Sequence, residues 1–306
     1  MEYSNHVLKN LYSHCELCPR RCGVDRTVAK GFCGMGNNMV AAKAYLHQWE
    51  EPCISYNNGA GTVFFSGCSL HCVFCQNNQI SRNNYGAEIT VSRLSDIFLD
   101  LQDKGADNIE LVTPTHFLPD IVRALDTVKH RLSIPVVYNS GGYELIDTIN
   151  LLNGYIDIYL PDLKYYSPDL SAKYSLAADY FKYASSSILK MIDQVGELQY
   201  NDKGGLLKGT IIRHLVLPNC RHDTMNIMKW IAENTACDSV LVSIMNQYTP
   251  FDYIPEEYPE LKRRVTKMEY NSVVKYAAEL GLNGFTQEKS SATEKYVPVF
   301  DLSGIK

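Results

Sequence analysis

Apolar residues follow two alternating patterns from residue 61 onward. Short buried runs bounded by turn residues are typical of strands, and between them apolar residues recur at helical spacing. Leu94, Ile97, Phe98 and Leu101, for example, fall on one face of a helix. The pattern predicts six strands, at 62–65, 109–112, 134–138, 156–160, 210–217 and 239–245, each followed by a helix.

The predicted helices complete a repeating strand–helix order. Thr90 or Ser92 can cap the first helix, 171–195 is expected to form one long helix, and Gly281 can end the last one. Such alternation indicates a parallel sheet. Six units are too few for a closed eightfold barrel, so we predict an α/β fold, a partial (β/α)6 TIM-like barrel, over residues 61–285. Functional residues should follow the carboxyl ends of the strands.

The two ends of the chain lack this regularity. Residues 1–60 are rich in Cys, Gly and Asn, and we predict an irregular, cysteine-rich, metal-binding extension there, with a C-terminal tail over 286–306. No apolar stretch is long enough to cross a bilayer, and the start MEYSNHVLKN lacks the apolar core of a signal peptide. We therefore expect a cytoplasmic protein without membrane contact. The net charge of −5 argues against nucleic-acid binding.

The spacing of the cysteines indicates the chemistry of the protein most directly. Cys68, Cys72 and Cys75 form a C-x3-C-x2-C segment directly after the first predicted strand. Three thiolates can bind three irons of a [4Fe–4S] cluster and leave the fourth iron for an outside ligand. A structural zinc site usually takes four ligands. We therefore predict a [4Fe–4S] cluster at these three cysteines, at the catalytic end of the barrel.

A second group consists of Cys15, Cys18, Cys22 and Cys33. Four thiolates at this spacing can hold either a zinc ion or a second iron–sulfur cluster, and the sequence leaves both open. Either metal would stabilise a segment that lacks a core of its own. The isolated Cys53, Cys220 and Cys237 are predicted to be buried structural thiols.

Seven segments, in order along most of the chain, resemble the radical S-adenosylmethionine (SAM) superfamily. Within it, they are similar to relatives of the pyruvate formate-lyase-activating enzyme. The segments are CELCPRRCGVDR (15–26), GFCGMG (31–36), GTVFFSGCSLHCVFCQN (61–77), LVTPTHF (111–117), VVYNSGGYE (136–144), DIYLPDLKYYSP (157–168) and IIRHLVLPN (211–219). The resemblance implies that SAM binds the open iron and is reductively cleaved to a 5′-deoxyadenosyl radical that abstracts hydrogen.

The resemblance also assigns cofactor-binding residues. Phe74 would lie beside the adenine, Lys164 of the Asp162-x-Lys164 segment would pair with the SAM carboxylate, and Arg213 would contact SAM. On pattern alone, Asp162 and Lys164 could instead form a surface ion pair. An arginine inside an apolar strand independently requires a partner, because an unpaired buried charge is costly.

Two further strand ends are assigned in the same way but depart from the family pattern. Thr113 and Thr115 lie where the family has a glycine-rich segment, although Thr115 and His116 could instead cap the next helix. Asn139 and Ser140 replace a segment that begins with an acid in the activating enzymes.

The resemblance implies an oxidoreductase similar to the [formate C-acetyltransferase]-activating enzyme. It would activate a glycyl radical enzyme as its protein substrate and take electrons from an external donor such as flavodoxin or ferredoxin. One alternative keeps the radical chemistry but acts on a different peptide or on a small molecule. An alternative of another class is a non-enzymatic iron–sulfur or zinc protein.

Overall fold

A computed structural model describes residues 8, 10–236, 238–287 and 298–306. Cys237 and part of the 286–306 tail lie outside these ranges, so the expectations for them stay predictions. Within the described part of the chain, no helix is both long and apolar enough to cross a bilayer.

The strands form one open sheet with a parallel centre. Its order is β10-β9-β8-β6-β5-β4-β2-β1-β3, and β7 pairs with β8 beside it. The strands are β1 (Met39–His47), β2 (Ala60–Phe65), β3 (Ala87–Ile89), β4 (Ile109–Val112), β5 (Val136–Ser140), β6 (Ile158–Pro161), β7 (Gln199–Tyr200), β8 (Leu206–Leu215), β9 (Val240–Met245) and β10 (Gly284–Thr286). The six predicted strands are β2, β4, β5, β6, β8 and β9, and they run parallel to one another. The predicted partial, TIM-like α/β barrel is thereby confirmed.

The helices connect these strands in the expected order. They are α1 (Asn78–Ser81), α2 (Val91–Asp103), α3 (Leu118–Val128), α4 (Ile146–Leu151), α5 (Pro168–Ser175), α6 (Tyr180–Val195), α7 (Arg221–Asn234) and α8 (Lys267–Glu279). The Thr90 hydroxyl accepts a hydrogen bond from the amide of Arg93, so Thr90, and not Ser92, caps α2. Thr266 and Glu269 form a reciprocal capping box at the start of α8.

The single helix expected over 171–195 is two helices. The first, α5, ends at Ser175, and the next residue, Leu176, adopts the left-handed conformation with φ of 52°. Arg20 donates to the carbonyl oxygens of Ser175 and Leu176, which a helix end leaves without intrahelical partners. Because this partner is distant in the chain, local sequence carries no clear signal for the break.

The expectation that residues 1–60 are irregular is wrong for β1. This strand pairs antiparallel with both β2 and β3. A register shift between Ala41 and Lys43 disrupts its two-residue alternation, so buried and exposed positions do not follow a regular strand pattern. The chain end packs alongside, since the Ala44 amide donates to the Ser303 carbonyl oxygen at 2.9 Å.

The segment that follows β1 packs at the amino ends of the parallel strands. Ile54 is fully buried and shares one apolar cluster with Cys53, Ile158 and Ile211. The Leu206 amide, at the start of β8, donates to the Cys53 carbonyl oxygen at 2.8 Å.

Candidate active site

One cavity opens at the carboxyl ends of the parallel strands. Cys68, Cys72 and Cys75 line it together. The same cavity is lined by other residues that the sequence singled out: Phe74, Thr113, Asn139, Ser140, Asp162, Lys164 and Arg213. The structure therefore gathers the barrel residues predicted for the site, with the exception of Thr115.

The loop that carries the three cysteines turns sharply after β2. Gly67 has φ of 86°, and a Cβ added there would lie 2.5 Å from Met35 Cγ and 2.7 Å from the Cys33 carbonyl oxygen. Only glycine fits this close approach of two backbones. His71, between the first two cysteines, is also left-handed with φ of 51°. We call residues 66–77 the cluster loop.

Each of the three thiols has a hydrogen-bond donor of its own. The Ser175 hydroxyl donates to Cys72 Sγ at 2.9 Å, the Ser81 hydroxyl to Cys75 Sγ at 3.3 Å, and the Leu70 amide to Cys68 Sγ at 3.4 Å. Burial, together with the neighbouring thiols of Cys72 and Cys75, raises the pKa of Cys68 to about 12. A cationic metal centre would reverse this cost by binding the thiolate form.

The donor set fits an iron–sulfur cluster. Three thiols of the cluster loop face one cavity, and their sulfurs accept hydrogen bonds. Burial raises the pKa of Cys75, and the nearby Lys164 ammonium lowers it by a smaller amount. In a cubane cluster each thiolate binds a different iron, so the sulfurs need not converge on one point. Among the described residues, no three His, Cys, Asp or Glu side chains are arranged around a single metal ion.

Asp162, Lys164 and Arg213 form a buried ion network on the cavity wall. Arg213 Nε donates to Asp162 Oδ1 at 3.0 Å, and Lys164 Nζ contacts Asp162 Oδ2. The side chains of Asp162 and Lys164 are only 14% and 18% exposed, so the surface ion pair is excluded. Burial by itself raises the pKa of Asp162, but Lys164 and Arg213 outweigh burial and hold the pKa below its usual value.

Inside the barrel a second set of polar side chains supports this network. Arg213 NH2 donates to Asn139 Oδ1 at 2.6 Å, and Asn139 Nδ2 donates to Glu110 Oε1 at 2.6 Å. Glu110 also accepts from the Thr62 hydroxyl at 2.7 Å. Burial raises the pKa of Glu110, and this effect exceeds the lowering by the two hydrogen bonds. Asn139 is thus held in one orientation by donors and acceptors on both sides.

Sequence reasoning missed two residues that reach the cavity from the end of β1. Glu50 Oε2 lies 3.3 Å from Arg213 NH1, and His47 Nε2 lies 3.7 Å from Glu50 Oε1. Burial, followed by the charge of Glu110, raises the pKa of Glu50 well above its usual value. Burial also lowers the pKa of His47 to about 4, so its imidazole is neutral near pH 7. Both residues lie in the extension predicted to be irregular, where no pattern pointed inward.

The strand end after β4 is strained. Thr113 has φ of 58°, which is unusual for a β-branched residue, and its amide donates to the Asn139 carbonyl oxygen at 2.9 Å. Thr115 turns away from the cavity lining, and its hydroxyl donates to Glu144 Oε1 at 2.7 Å. The alternative role of Thr115 and His116 as a helix cap is wrong, because Phe117 occupies the cap position of α3 without a side-chain bond.

Aromatic rings surround Phe74 on the cavity wall. The rings of Tyr165, Tyr174 and Tyr248 meet it edge-on, with centroids 6.5, 6.3 and 6.2 Å away. Tyr248 and Gln247, which follow β9, also line the cavity. The three tyrosine rings fix the orientation of Phe74, and Phe74 and Tyr248 provide the cavity with an apolar surface suited to a flat ligand group.

The second cysteine group is compact and lies outside this cavity. A Cβ built on Gly31 would lie 3.6 Å from Cys33 Sγ and 3.7 Å from Cys22 Sγ, so both thiols face the same small space. Cys15 and Cys33 are buried. Burial raises the pKa of Cys18, and the charges of Cys33 and Cys22 add to that effect. We call residues 15–33 the N-terminal cysteine segment.

A parallel, open α/β barrel with three cysteines in the loop after its first parallel strand defines an iron–sulfur enzyme class. Residues 62–231 match the family model of the Radical SAM superfamily. The chain is also 30% identical over 290 residues to an uncharacterized protein of Methanocaldococcus jannaschii, covering 90% of this chain and 78% of that relative. The chain belongs to the radical SAM superfamily. Membership implies a [4Fe–4S] cluster, SAM and an external electron donor.

Solved structures agree with this fold. SuiB of Streptococcus suis, solved with its precursor peptide SuiA, has a TM-score of 0.51 at 15% identity, covering 72% of this chain and 46% of that one. The chain thus spans about half the length of that structure. A domain of a pyruvate-formate lyase-activating enzyme from Bacteroides vulgatus has a TM-score of 0.40 at 9% identity, covering 54% of this chain and 90% of that domain. The likeness to SuiB supports the fold and not the substrate.

Proposed function

We propose that the protein uses SAM and a [4Fe–4S] cluster to abstract hydrogen from a glycine of a glycyl radical enzyme. One observation carries the radical chemistry: the three thiols of the cluster loop and the ion network of Asp162, Lys164 and Arg213 line the same cavity. The substrate rests on the resemblance of the sequence segments to the activating enzymes. When bound, the cluster and SAM supply the 5′-deoxyadenosyl radical.

The residues of the chain would hold and orient these groups. Cys68, Cys72 and Cys75 would bind three irons, and Lys164 would meet the SAM carboxylate as a point charge. Asp162 holds Lys164 and Arg213 in place through its two oxygens. Phe74, with Tyr248 beside it on the cavity wall, would pack on the adenine and exclude water, which protects a radical from unwanted hydrogen donors.

The proposal includes further components. Flavodoxin or ferredoxin would supply the electron, and Cys15, Cys18, Cys22 and Cys33 would hold a second centre, either an iron–sulfur cluster or zinc. We place the protein in the cytoplasm, where thiols remain reduced and available to metals.

The test combines chemistry with metal counting. The full chain is reconstituted with iron under anaerobic conditions, reduced with dithionite in the presence of SAM, and assayed for 5′-deoxyadenosine, iron, zinc and sulfide. We expect the product together with about four irons at the core site and additional iron or zinc at the N-terminal one. A loaded cluster that never yields 5′-deoxyadenosine, with or without candidate substrate, would favour a non-enzymatic iron–sulfur protein.

The substrate is tested separately. The reduced protein and SAM are mixed with a purified glycyl radical enzyme, and the mixture is examined by electron paramagnetic resonance. A glycyl radical signal that requires both proteins supports the proposal. Deoxyadenosine formation without that signal, but stimulated by a peptide or a metabolite, would move the function to the other radical substrates.

A further inference from the structure

The N-terminal cysteine segment lies directly against the cluster loop. The Cys68 amide donates to the Cys33 carbonyl oxygen at 3.3 Å. The ring of Phe32 stacks on the imidazole of His71, with centroids 5.0 Å apart. Phe32 and His71 each immediately precede a cysteine of their own group. The two cysteine groups are therefore in contact through neighbouring residues, without an intervening helix or strand.

Arg20 ties three structures together at this boundary. Its Nε donates to the Ser69 carbonyl oxygen of the cluster loop at 2.8 Å, and its NH2 donates to the Ser175 carbonyl oxygen at the end of α5 at 2.9 Å. The hydroxyl of the same Ser175 donates to Cys72 Sγ. Because the guanidinium is planar and its donors are fixed in a fork, Arg20 sets the spacing between the cluster loop and the helix end that supports Cys72.

The position of Arg20 depends in turn on the N-terminal thiols. Arg20 lies between Cys18 and Cys22 in the sequence, and its guanidinium lies 4.1 Å from the centre of the Phe32 ring. The Phe32 amide donates to Cys22 Sγ at 3.3 Å. A metal bound by these thiols would therefore fix both the backbone that carries Arg20 and the ring on which it rests.

A buried arginine, Arg26, contacts the N-terminal cysteine segment at the sulfur of Cys15. Arg26 is only 1% exposed. Among the described residues, its hydrogen-bond acceptors are the carbonyl oxygens of Met35, Gly36 and His116 and the sulfur of Cys15, and none is a carboxylate. A buried cation without a counter-charge is costly. Four thiolates around zinc or an iron–sulfur cluster form a net negative centre that would supply this charge.

We infer that the metal centre of the N-terminal cysteine segment regulates the SAM site through Arg20. This inference rests on the proposed function. With metal bound, Arg20 holds the cluster loop against α5 in the form that binds SAM. Without metal, the segment loosens, Arg20 loses its support, and SAM binds more weakly. Arg20 is a positioning residue, because it contacts the loop and not the cavity. Such coupling is reciprocal, so SAM binding should also strengthen metal retention at the N-terminal thiols.

The experiment uses the anaerobically reconstituted full chain and four variants. Cys18→Ser with Cys22→Ser removes the N-terminal centre, and Arg20→Gln removes the bridge but not the thiols. Arg20→Lys keeps the charge without the fork. Arg21→Gln is the matched control, since Arg21 is an exposed neighbour of the same type. Each protein is reduced and titrated with SAM, and the change in the paramagnetic resonance spectrum of the core cluster gives the SAM affinity.

We expect the cysteine double variant to lose N-terminal metal, to keep about four irons, and to bind SAM about tenfold more weakly, within the range usual for coupling between sites. Arg20→Gln should retain both metals and show a similar loss, Arg20→Lys a smaller one, and Arg21→Gln none. If the double variant fails to fold, the reciprocal effect decides the question: SAM should slow the loss of N-terminal metal to a chelator in the wild type and not in Arg20→Gln.

Two results would overturn the inference while leaving the proposed function intact. In the first, Arg20→Gln retains wild-type SAM affinity. In the second, Arg21→Gln loses as much affinity as Arg20→Gln, which would indicate a nonspecific charge effect. If the wild-type cluster itself shows no spectral response to SAM, the proposed function fails before the coupling is tested.

Discussion

The two cysteine groups of this chain have similar spacing but lie in very different surroundings. The cluster loop follows a buried strand, and its three thiols face a cavity lined by charged side chains. The N-terminal cysteine segment has no sheet of its own; its Cys22 and Cys33 thiols face one small space, and Cys15 contacts the buried Arg26. The comparison shows that the role of a cysteine group is indicated less by its number of thiols than by the other side chains around it. A cysteine group that faces a cavity with room for a ligand indicates a catalytic site, whereas a group whose thiols face only protein indicates a supporting role.

The largest effect should come from the cluster loop. Under the proposed function, replacing Cys72 with alanine would remove one iron ligand and leave the cluster incomplete. We expect SAM cleavage to fall to background, a loss of at least about 1,000-fold. The measurement is 5′-deoxyadenosine formed under reducing conditions.

Cys53→Ala serves as the control for a thiol outside both groups, and it should cleave SAM normally. Full activity in Cys72→Ala would remove the cluster loop from the mechanism and leave the N-terminal thiols as the remaining candidates.

The ion network should give the next largest effect, on stability. Arg213→Met leaves the carboxylates of Glu50, Glu110 and Asp162 buried without that guanidinium, and we expect a loss of about 3–5 kcal/mol in the free energy of unfolding. Urea denaturation measures the change.

This loss should shrink at lower pH. Removing Arg213 raises the pKa values of the three carboxyl groups in the folded state, while those of the unfolded state stay ordinary. Between the two sets of pKa values, the folded variant binds more protons than the unfolded variant. Its stability therefore increases as the pH falls from the pKa values of the folded state to those of the unfolded state. A loss independent of pH would show that packing, and not charge, is what Arg213 supplies.

Metal loading should depend on pH at the cluster loop. Burial raises the pKa of Cys68 to about 12 and raises that of Cys75, so these thiols are protonated near neutral pH without metal. Metal binding must displace those protons. We therefore expect iron reconstitution to proceed several-fold faster at about pH 9 than at about pH 7, as followed by the visible absorbance of the cluster. Rates that do not change with pH would contradict this account.

A smaller effect should follow from the hydrogen bond on Cys72. Ser175→Ala removes the hydroxyl that donates to Cys72 Sγ. Hydrogen bonds to cluster sulfurs raise the reduction potential. One such bond is worth about 1 kcal/mol, or about 40 mV for a one-electron couple, so we expect the potential to become more negative by that amount. Ser186→Ala, at an exposed position of α6, should leave the redox titration unchanged.

Most of the parallel sheet and the cluster loop were predictable from the sequence, for a physical reason. Buried parallel strands need continuous apolar runs, and the proposed iron ligands come from one short segment, so both signals are local. The strand ends that carry Asn139, Asp162 and Arg213 could be assigned to one cavity because parallel strands bring their carboxyl ends together.

Tertiary structure alone decided the rest, because the partners are distant in the chain. A register shift hides the regular alternation of β1, so the approach of Glu50 and His47 to the cavity left no sequence signal. The break between α5 and α6 coincides with carbonyl oxygens that Arg20 satisfies from about 155 residues away. The sequence by itself determined which residues can bind a cluster and on which fold. The tertiary structure decided which side chains surround them, since contacts between remote segments depend on packing that no local pattern records.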